Sequence, residues 1–222
     1  MVVLKPIIIE WDLIDTVLLD MDGTLLDLHY DNYFWGEYLP EYYSKLNNIS
    51  IEEGKQLLSN YSNNVKGTLD WYCLDYWSDL LSIDILSVKS GINHKIEFRP
   101  NSIEFLRYLN KLNKRVILAT NAHPKTLELK LLHKNFTEYF EALSSSHQLG
   151  YPKEEQQYWR LLTDKFNLEP SKCMFIDDSN KILQSAEKFG IGRLLAISQP
   201  DMQQAPIDCA PYTGIRDYSQ LF

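Results

Sequence analysis

The chain has 222 residues, 45% of them apolar and 13% aromatic, which is enough to bury a large core and excludes a disordered chain. Its net charge of -8, without any cluster of Lys or Arg, argues against a nucleic-acid polymer as partner, because phosphate backbones reward concentrated positive charge. Cys73, Cys173 and Cys209 are too widely spaced to suggest a disulfide framework or a zinc site, and Glu10 and Asp12 cut the run Pro6-Ile7-Ile8-Ile9 short of a signal core or membrane span, so a cytoplasmic chain with no membrane partner is expected.

The first element is the run Thr16-Val17-Leu18-Leu19, which stops abruptly at Asp20-Met21-Asp22-Gly23. A β-branched and leucine run of this kind reads as a buried parallel strand that delivers two carboxylates to its carboxyl end, where α/β sheets place their chemistry. Taken alone, the stretch also fits a strand running into an acidic turn, since Asp and Gly are ordinary turn residues. From about Leu28 to Phe98 strand-like runs disappear, and aromatics at helical spacing, Trp71, Leu74 and Trp77 among them, predict a helical insert. Asn47-Asn48, Gly67-Thr68 and Gly91-Ile92-Asn93 supply its breaks.

At Pro100 helices begin to alternate with short apolar strands, the βαβ pattern of a doubly wound parallel sheet. Asn101 and Glu104 suit a helix start, with Ile103, Leu106 and Leu109 as its buried stripe. A second strand, Arg115 to Ala119, ends at Thr120-Asn121, and Pro124 opens the next helix as a first-turn proline with Leu127 and Leu131 on one face. Ala142 to Ser145 is a weak third strand, after which Pro152 is expected to open a helix that carries Trp159, Leu162 and Phe166 and holds Lys153 in its first turn. Cys173 to Ile176 forms a fourth strand ending in Asp177-Asp178-Ser179, a helix follows to Gly190, and Arg193 to Ile197 forms a fifth. The proline-rich tail from Gln199 carries no clear pattern.

All carboxyl ends of such a sheet lie on one edge, so Asp20, Asp22, Thr120, Asn121, Asp177, Asp178 and Lys153 are expected to share one crevice. Four converging carboxylates imply a cation, and hard oxygen donors suit Mg²⁺. A hydroxyl, an amide and an ammonium beside them make a pocket for a tetrahedral anion. Singly, Thr120 could be a strand-end hydroxyl, Lys153 a solvated lysine and Asp177-Asp178 a helix cap.

On these residues the sequence is identified as resembling the haloacid dehalogenase (HAD) superfamily: Asp20-Met21-Asp22-Gly23-Thr24, Thr120-Asn121, Lys153 and Phe175-Ile176-Asp177-Asp178-Ser179 stand as its four signatures. The resemblance implies a Rossmann-like core at residues 1–27 and 98–222 and an inserted α-helical cap at residues 28–97. Residues 21–28, Asp31-Asn32-Tyr33-Phe34-Trp35, residues 71–78 and residues 120–124 and 150–154 are similar to bacterial members described as GMP/IMP 5'-nucleotidases. Carried over, the resemblance makes Asp20 the nucleophile and Asp22 the acid and base, with their pKa values pushed apart. It assigns Mg²⁺ to Asp20, the Asp22 carbonyl, Asp178 and Asp177, the last directly or through water. It assigns the phosphoryl oxygens to Thr120, Asn121 and Lys153, the last aided by a helix dipole.

An acid at Asp22 favours phosphate ester hydrolysis over dehalogenation, because an alkoxide leaving group benefits from a proton and a halide does not. The expected substrate is a small phosphorylated metabolite, a purine nucleotide such as GMP or IMP, with some of the aromatic rings at residues 33–35 and 71–77 left to stack on the base. A phosphatase of another small metabolite, a β-phosphoglucomutase-like phosphomutase and a non-catalytic phospholigand-binding domain are the competing readings.

Overall fold

The computed structural model describes residues 5–222, so that residues 1–4 of the expected 1–27 core segment lie outside it. Six strands form one parallel sheet in the order β3-β2-β1-β4-β5-β6. They are β1 (Thr16–Leu19), β2 (Arg115–Thr120), β3 (Ala142–Ser145), β4 (Cys173–Asp177), β5 (Arg193–Ile197) and β6 (Thr213–Ile215). β1 lies at the centre, Thr16 to Leu19 pairing with Arg115 to Leu118 on one side and with Cys173 to Ile176 on the other. Strand order therefore reverses beside β1, the switch point at which open α/β sheets bind ligands.

Alternation along the strands divides the core in two. Val17, Leu19, Val116 and Leu118 face one apolar layer, and Leu18, Ile117 and Ala119 face the other. The first layer is covered by α7 (Ser102–Lys111) through Phe105, Leu106 and Leu109 and by α8 (Pro124–His133) through Leu127. The second is covered by α10 (Gln156–Phe166) through Tyr158, Trp159 and Leu162 and by α11 (Asn180–Phe189) through Ile182, Leu183 and Ala186.

Between β1 and α7 the chain is helical. It runs through α1 (His29–Tyr33), a π-helical stretch Phe34–Tyr38, α2 (Leu39–Asn47), α3 (Ile51–Val65), α4 (Leu69–Tyr72), α5 (Leu74–Leu81) and α6 (Ile85–Ser90). The breaks fall at the expected places: Asn48 is left-handed at φ 53° and Gly67 at φ 83°. Ser50 caps α3 with a reciprocal bond to Glu53. No helix among the described residues is long and apolar enough to cross a membrane.

Three local expectations are corrected. α7 begins where expected, but without a capping box: Asn101 is itself left-handed and donates to Asp217 Oδ1 at 2.7 Å, while Glu104 pairs with Arg107. Ile103 is only half-buried, and Phe105 takes its place in the stripe. The helix after β3 does not open at Pro152. A single turn, α9 (Ser146–Leu149), is followed by a bend, and α10 starts at Gln156. The Lys153 carbonyl, which a helix opening at Pro152 would offer to a backbone N–H four residues on, accepts instead from the Trp159 indole at 2.9 Å, and the Lys153 N–H donates to Asn121 Oδ1 at 2.9 Å, which pins the loop in place. The featureless tail supplies β6, anchored by buried Arg99, which donates to the carbonyls of Gln199 and Arg216.

Candidate active site

The site is assembled at the carboxyl edge of β1, β2 and β4. Asp20 leaves β1 with its N–H bonded to the Ile176 carbonyl at 3.1 Å. The chain then turns so tightly that the Met21 carbonyl accepts from both Leu25 and Leu26. Gly23 makes this possible: its φ is +76°, and a Cβ there would lie 2.5 Å from Asp178 Oδ2. The glycine thus lets the turn approach the end of β4.

Asp20, Asp177 and Asp178 converge there, with one carboxylate oxygen from each lying within 4.8 Å of the others. Lys153, 1% exposed, donates to Asp20 Oδ1 at 2.6 Å and to Asp177 Oδ2 at 2.7 Å. Three carboxylates against one ammonium leave an excess of two negative charges in a buried pocket, a donor set of hard oxygens that fits a divalent cation. The strain is visible in the acids. Burial pushes Asp20 up to about 6 despite Lys153, with Asp177 adding to the rise. Burial raises Asp177 too, and burial together with Asp177 and Asp20 drives Asp178 well above the usual carboxylate range. Burial disfavours the Lys153 ammonium, but Asp177 and Asp20 outweigh it and hold the group well above its ordinary value.

The Asp22 carboxylate points away from this cluster. Its Oδ1 accepts from Lys130 at 2.5 Å, and Lys130 also donates to Asp31 Oδ2 at 2.6 Å. Asp31 Oδ1 in turn accepts from buried Lys89 at 2.5 Å, which completes an alternating chain of four charges. Burial pushes Asp22 up to about 6, opposed by Lys130 and helped by Asp31. For Asp31 the burial penalty is overcome by Lys130 and Lys89, which hold it at about 2. The protein's own groups therefore do not push Asp20 and Asp22 apart, contrary to expectation: both are desolvated and each has one lysine partner.

No sequence motif points to Lys130 or Lys89, and Asp31 lies in a block marked only by resemblance. Lys130 sits three residues after Leu127, on the buried face of α8, and a lysine at that position of an apolar stripe was the available signal.

Thr120, buried at the end of β2, accepts from the Ala122 N–H at 3.0 Å, which leaves its hydroxyl proton free to donate. Asn121 is occupied at both ends of its amide, by the Lys153 N–H and by Glu154 Oε2 at 3.0 Å. It holds the loop that presents Lys153. Glu154 also accepts from the Tyr72 hydroxyl at 2.8 Å, which joins the helical segment to that loop.

These groups open into a cavity of about 890 Å³. Asp20, Asp22, Thr120, Lys153 and Asp178 form its floor, and Trp35, Trp71 and Tyr72 line it from the helical segment. Of the other aromatics, Phe34 and Trp77 are buried in the core, Trp77 also reaching the cavity wall, while Tyr33 and Tyr76 pack against that core away from the cavity.

Comparison with known proteins agrees with this geometry. Residues 14–190 match the model of the haloacid dehalogenase-like hydrolases. The chain is 40% identical over 213 residues to the Escherichia coli (strain K12) protein named GMP/IMP nucleotidase YrfG, covering 96% of each. It is 19% identical over 193 residues to a phosphorylated carbohydrates phosphatase of Thermotoga maritima, covering 82% of this chain and 85% of that one. The crystal structure of a HAD phosphatase from Thermococcus onnurineus superposes with a TM-score of 0.76 at 20% identity, over 93% of this chain and 95% of that chain.

Proposed function

Since the chain belongs to the haloacid dehalogenase-like hydrolase family, we propose that it hydrolyses phosphomonoesters through an aspartyl-phosphate on Asp20, with a purine nucleoside 5'-monophosphate of the GMP or IMP type as substrate. The observation that carries the chemistry is the Asp20 carboxylate, buried beside Lys153 at the floor of a cavity large enough for a nucleotide. The substrate assignment rests on the relative named as a GMP/IMP nucleotidase, which matches across 96% of both chains.

In this reading a free oxygen of Asp20 attacks phosphorus and displaces the ribose oxygen. Asp22, outside the acid cluster and protonated up to about pH 6, gives its proton to that oxygen and then takes one from the incoming water. Lys153 and the Thr120 hydroxyl hold phosphoryl oxygens, and Asn121 fixes Lys153 in place. The hard-oxygen cluster fits Mg²⁺, which Asp20, Asp177, Asp178 and the Asp22 carbonyl would hold. When bound, the ion neutralises phosphoryl charge and keeps Asp20 ionised, so that the two aspartates come to differ. Residues 28–97 act as a cap over the core of residues 5–27 and 98–222, and Trp35, Trp71 and Tyr72 offer faces for the base. The enzyme works in the cytoplasm, on a metabolite rather than a polymer.

The test is a panel of nucleotides, sugar phosphates and phosphoglycolate with released phosphate measured. GMP and IMP should give the highest kcat/KM. A tenfold advantage for a glucose phosphate or phosphoglycolate would overturn the substrate assignment, and transfer to sugar in place of phosphate release would reveal a mutase.

A further inference from the structure

A second cluster of ligating atoms lies where the cap meets the core and has no part in the phosphoryl chemistry above. Cys73 lies between α4 and α5, His123 directly precedes α8, and His147 lies in α9. One ligand atom from each lies within 4.8 Å of the other two. The two imidazoles meet edge to face, their centroids 4.8 Å apart.

The bonding around these groups is incomplete in a specific way. Both ring nitrogens of His147 are buried and neither has a partner at ordinary hydrogen-bond geometry, the Leu69 backbone offering only a loose contact to one of them. Native proteins rarely leave such atoms bare, and each instance calls for a ligand, ion or water to complete it. His123 accepts the Lys125 N–H on Nδ1 at 3.3 Å, which leaves Nε2 available, 3.8 Å from Asp75 Oδ2. Cys73 is a free thiol whose sulfur accepts only a long bond from Tyr76 N at 3.5 Å. One sulfur and two imidazole nitrogens make a borderline-soft donor set, matched to a Zn²⁺-type cation and unsuited to Mg²⁺, which takes oxygen.

We propose that Cys73, His123 and His147 form a second metal site, for a Zn²⁺-type divalent cation that clips the cap to the core. Tetrahedral zinc with bonds of about 2.0 to 2.3 Å needs its ligand atoms roughly 3.3 to 3.8 Å apart, so the three side chains must draw in by about 1 Å. All three are only partly buried, which leaves room for that movement. Asp75 or a water completes the shell. Because Cys73 comes from the cap and both histidines from the core, occupancy resists cap opening and slows turnover.

The experiment uses Co²⁺ as a spectroscopic stand-in for zinc, titrated into metal-stripped full-length protein. A thiolate-to-cobalt charge-transfer band, saturating at one equivalent, is expected, and the acid cluster cannot produce it because it contains no sulfur. Cys73→Ser keeps the Tyr76 cap interaction and should abolish the band while retaining Mg²⁺-dependent turnover. His147→Ala should weaken binding by at least tenfold with turnover retained. The absence of a thiolate band, or a band unchanged in both variants, overturns the site. Neither reading depends on which phosphate ester is hydrolysed, so failure here is distinct from failure of the nucleotidase assignment.

Discussion

Lys130 on α8 donates to Asp22 Oδ1 at 2.5 Å, and the same ammonium donates to Asp31 on α1. The group proposed as the acid is thus wired to α1, the first helix of the segment proposed as a cap. A displacement of that helix would change both the position of Lys130 and the field at Asp22.

The sign of this coupling can be tested with two opposite substitutions. Burial raises Asp22 to about 6, Lys130 opposes the rise, and Asp31 adds to it. Lys130→Met removes a cation, favours the neutral acid and should move the alkaline limb of the kcat/KM profile to higher pH. Asp31→Asn removes an anion and should move it to lower pH. Lys130→Met should also destabilise the fold, by less than the roughly 3 to 5 kcal/mol of a fully buried pair, because it leaves the partly exposed Asp22 without its cation while Asp31 keeps Lys89. pH profiles displaced in the same direction in both variants would refute the arrangement.

Asp20→Asn should leave the fold intact and reduce turnover by many orders of magnitude. The change keeps shape but removes the proposed nucleophile, without which the covalent route cannot begin. Retained activity in a metal-replete preparation, with folding verified by circular dichroism, would exclude the covalent route.

Chelation with EDTA should silence the enzyme and added Mg²⁺ should restore it. Asp178→Ala should raise the Mg²⁺ concentration for half-maximal rate steeply, since one of three converging carboxylates is lost. Full activity in chelator would count against the cation.

Trp71→Ala should lower kcat/KM for GMP by roughly tenfold or more, in keeping with base stacking on the order of 1 to 3 kcal/mol. Ribose 5-phosphate, which has no base, should be little affected. An equal loss on both substrates would mean that Trp71 only supports the cap.

His147 predicts a stability window. Burial and the neighbouring His123 depress it from 6.5 to about 4, while the Leu69 backbone, Asp70 and Asp75 act the other way. Between those values the unfolded chain binds more protons, so stability present above pH 6.5 is lost as pH falls toward 4. Melting temperature in EDTA should therefore drop between pH 7 and 5 less steeply in His147→Gln than in the parent.

The parallel sheet was readable residue by residue, because a strand buried on both faces must be an unbroken apolar run. Val17-Leu18-Leu19 and Met174-Phe175-Ile176 are such runs, each ending in the acid that the chemistry needs. Asp20, Asp177 and Thr120 can be grouped from the sequence because parallel strands bring their carboxyl ends to one edge, and Lys153 follows the third strand closely enough to reach it. β6 was not legible, since Thr213-Gly214-Ile215 is too short for a period and is strand only through its pairing with β5. Nor was the bend before α10, where the Lys153 carbonyl accepts from the Trp159 indole in place of a helical N–H and Asn121 holds the Lys153 N–H. The charge chain from Asp22 through Lys130 and Asp31 to Lys89 and the Cys73, His123 and His147 cluster depend wholly on tertiary structure. Their members lie far apart in sequence, and each has an ordinary local role. Only docking of the helical segment against the sheet edge, which removes water from their charges and donor atoms, makes them partners.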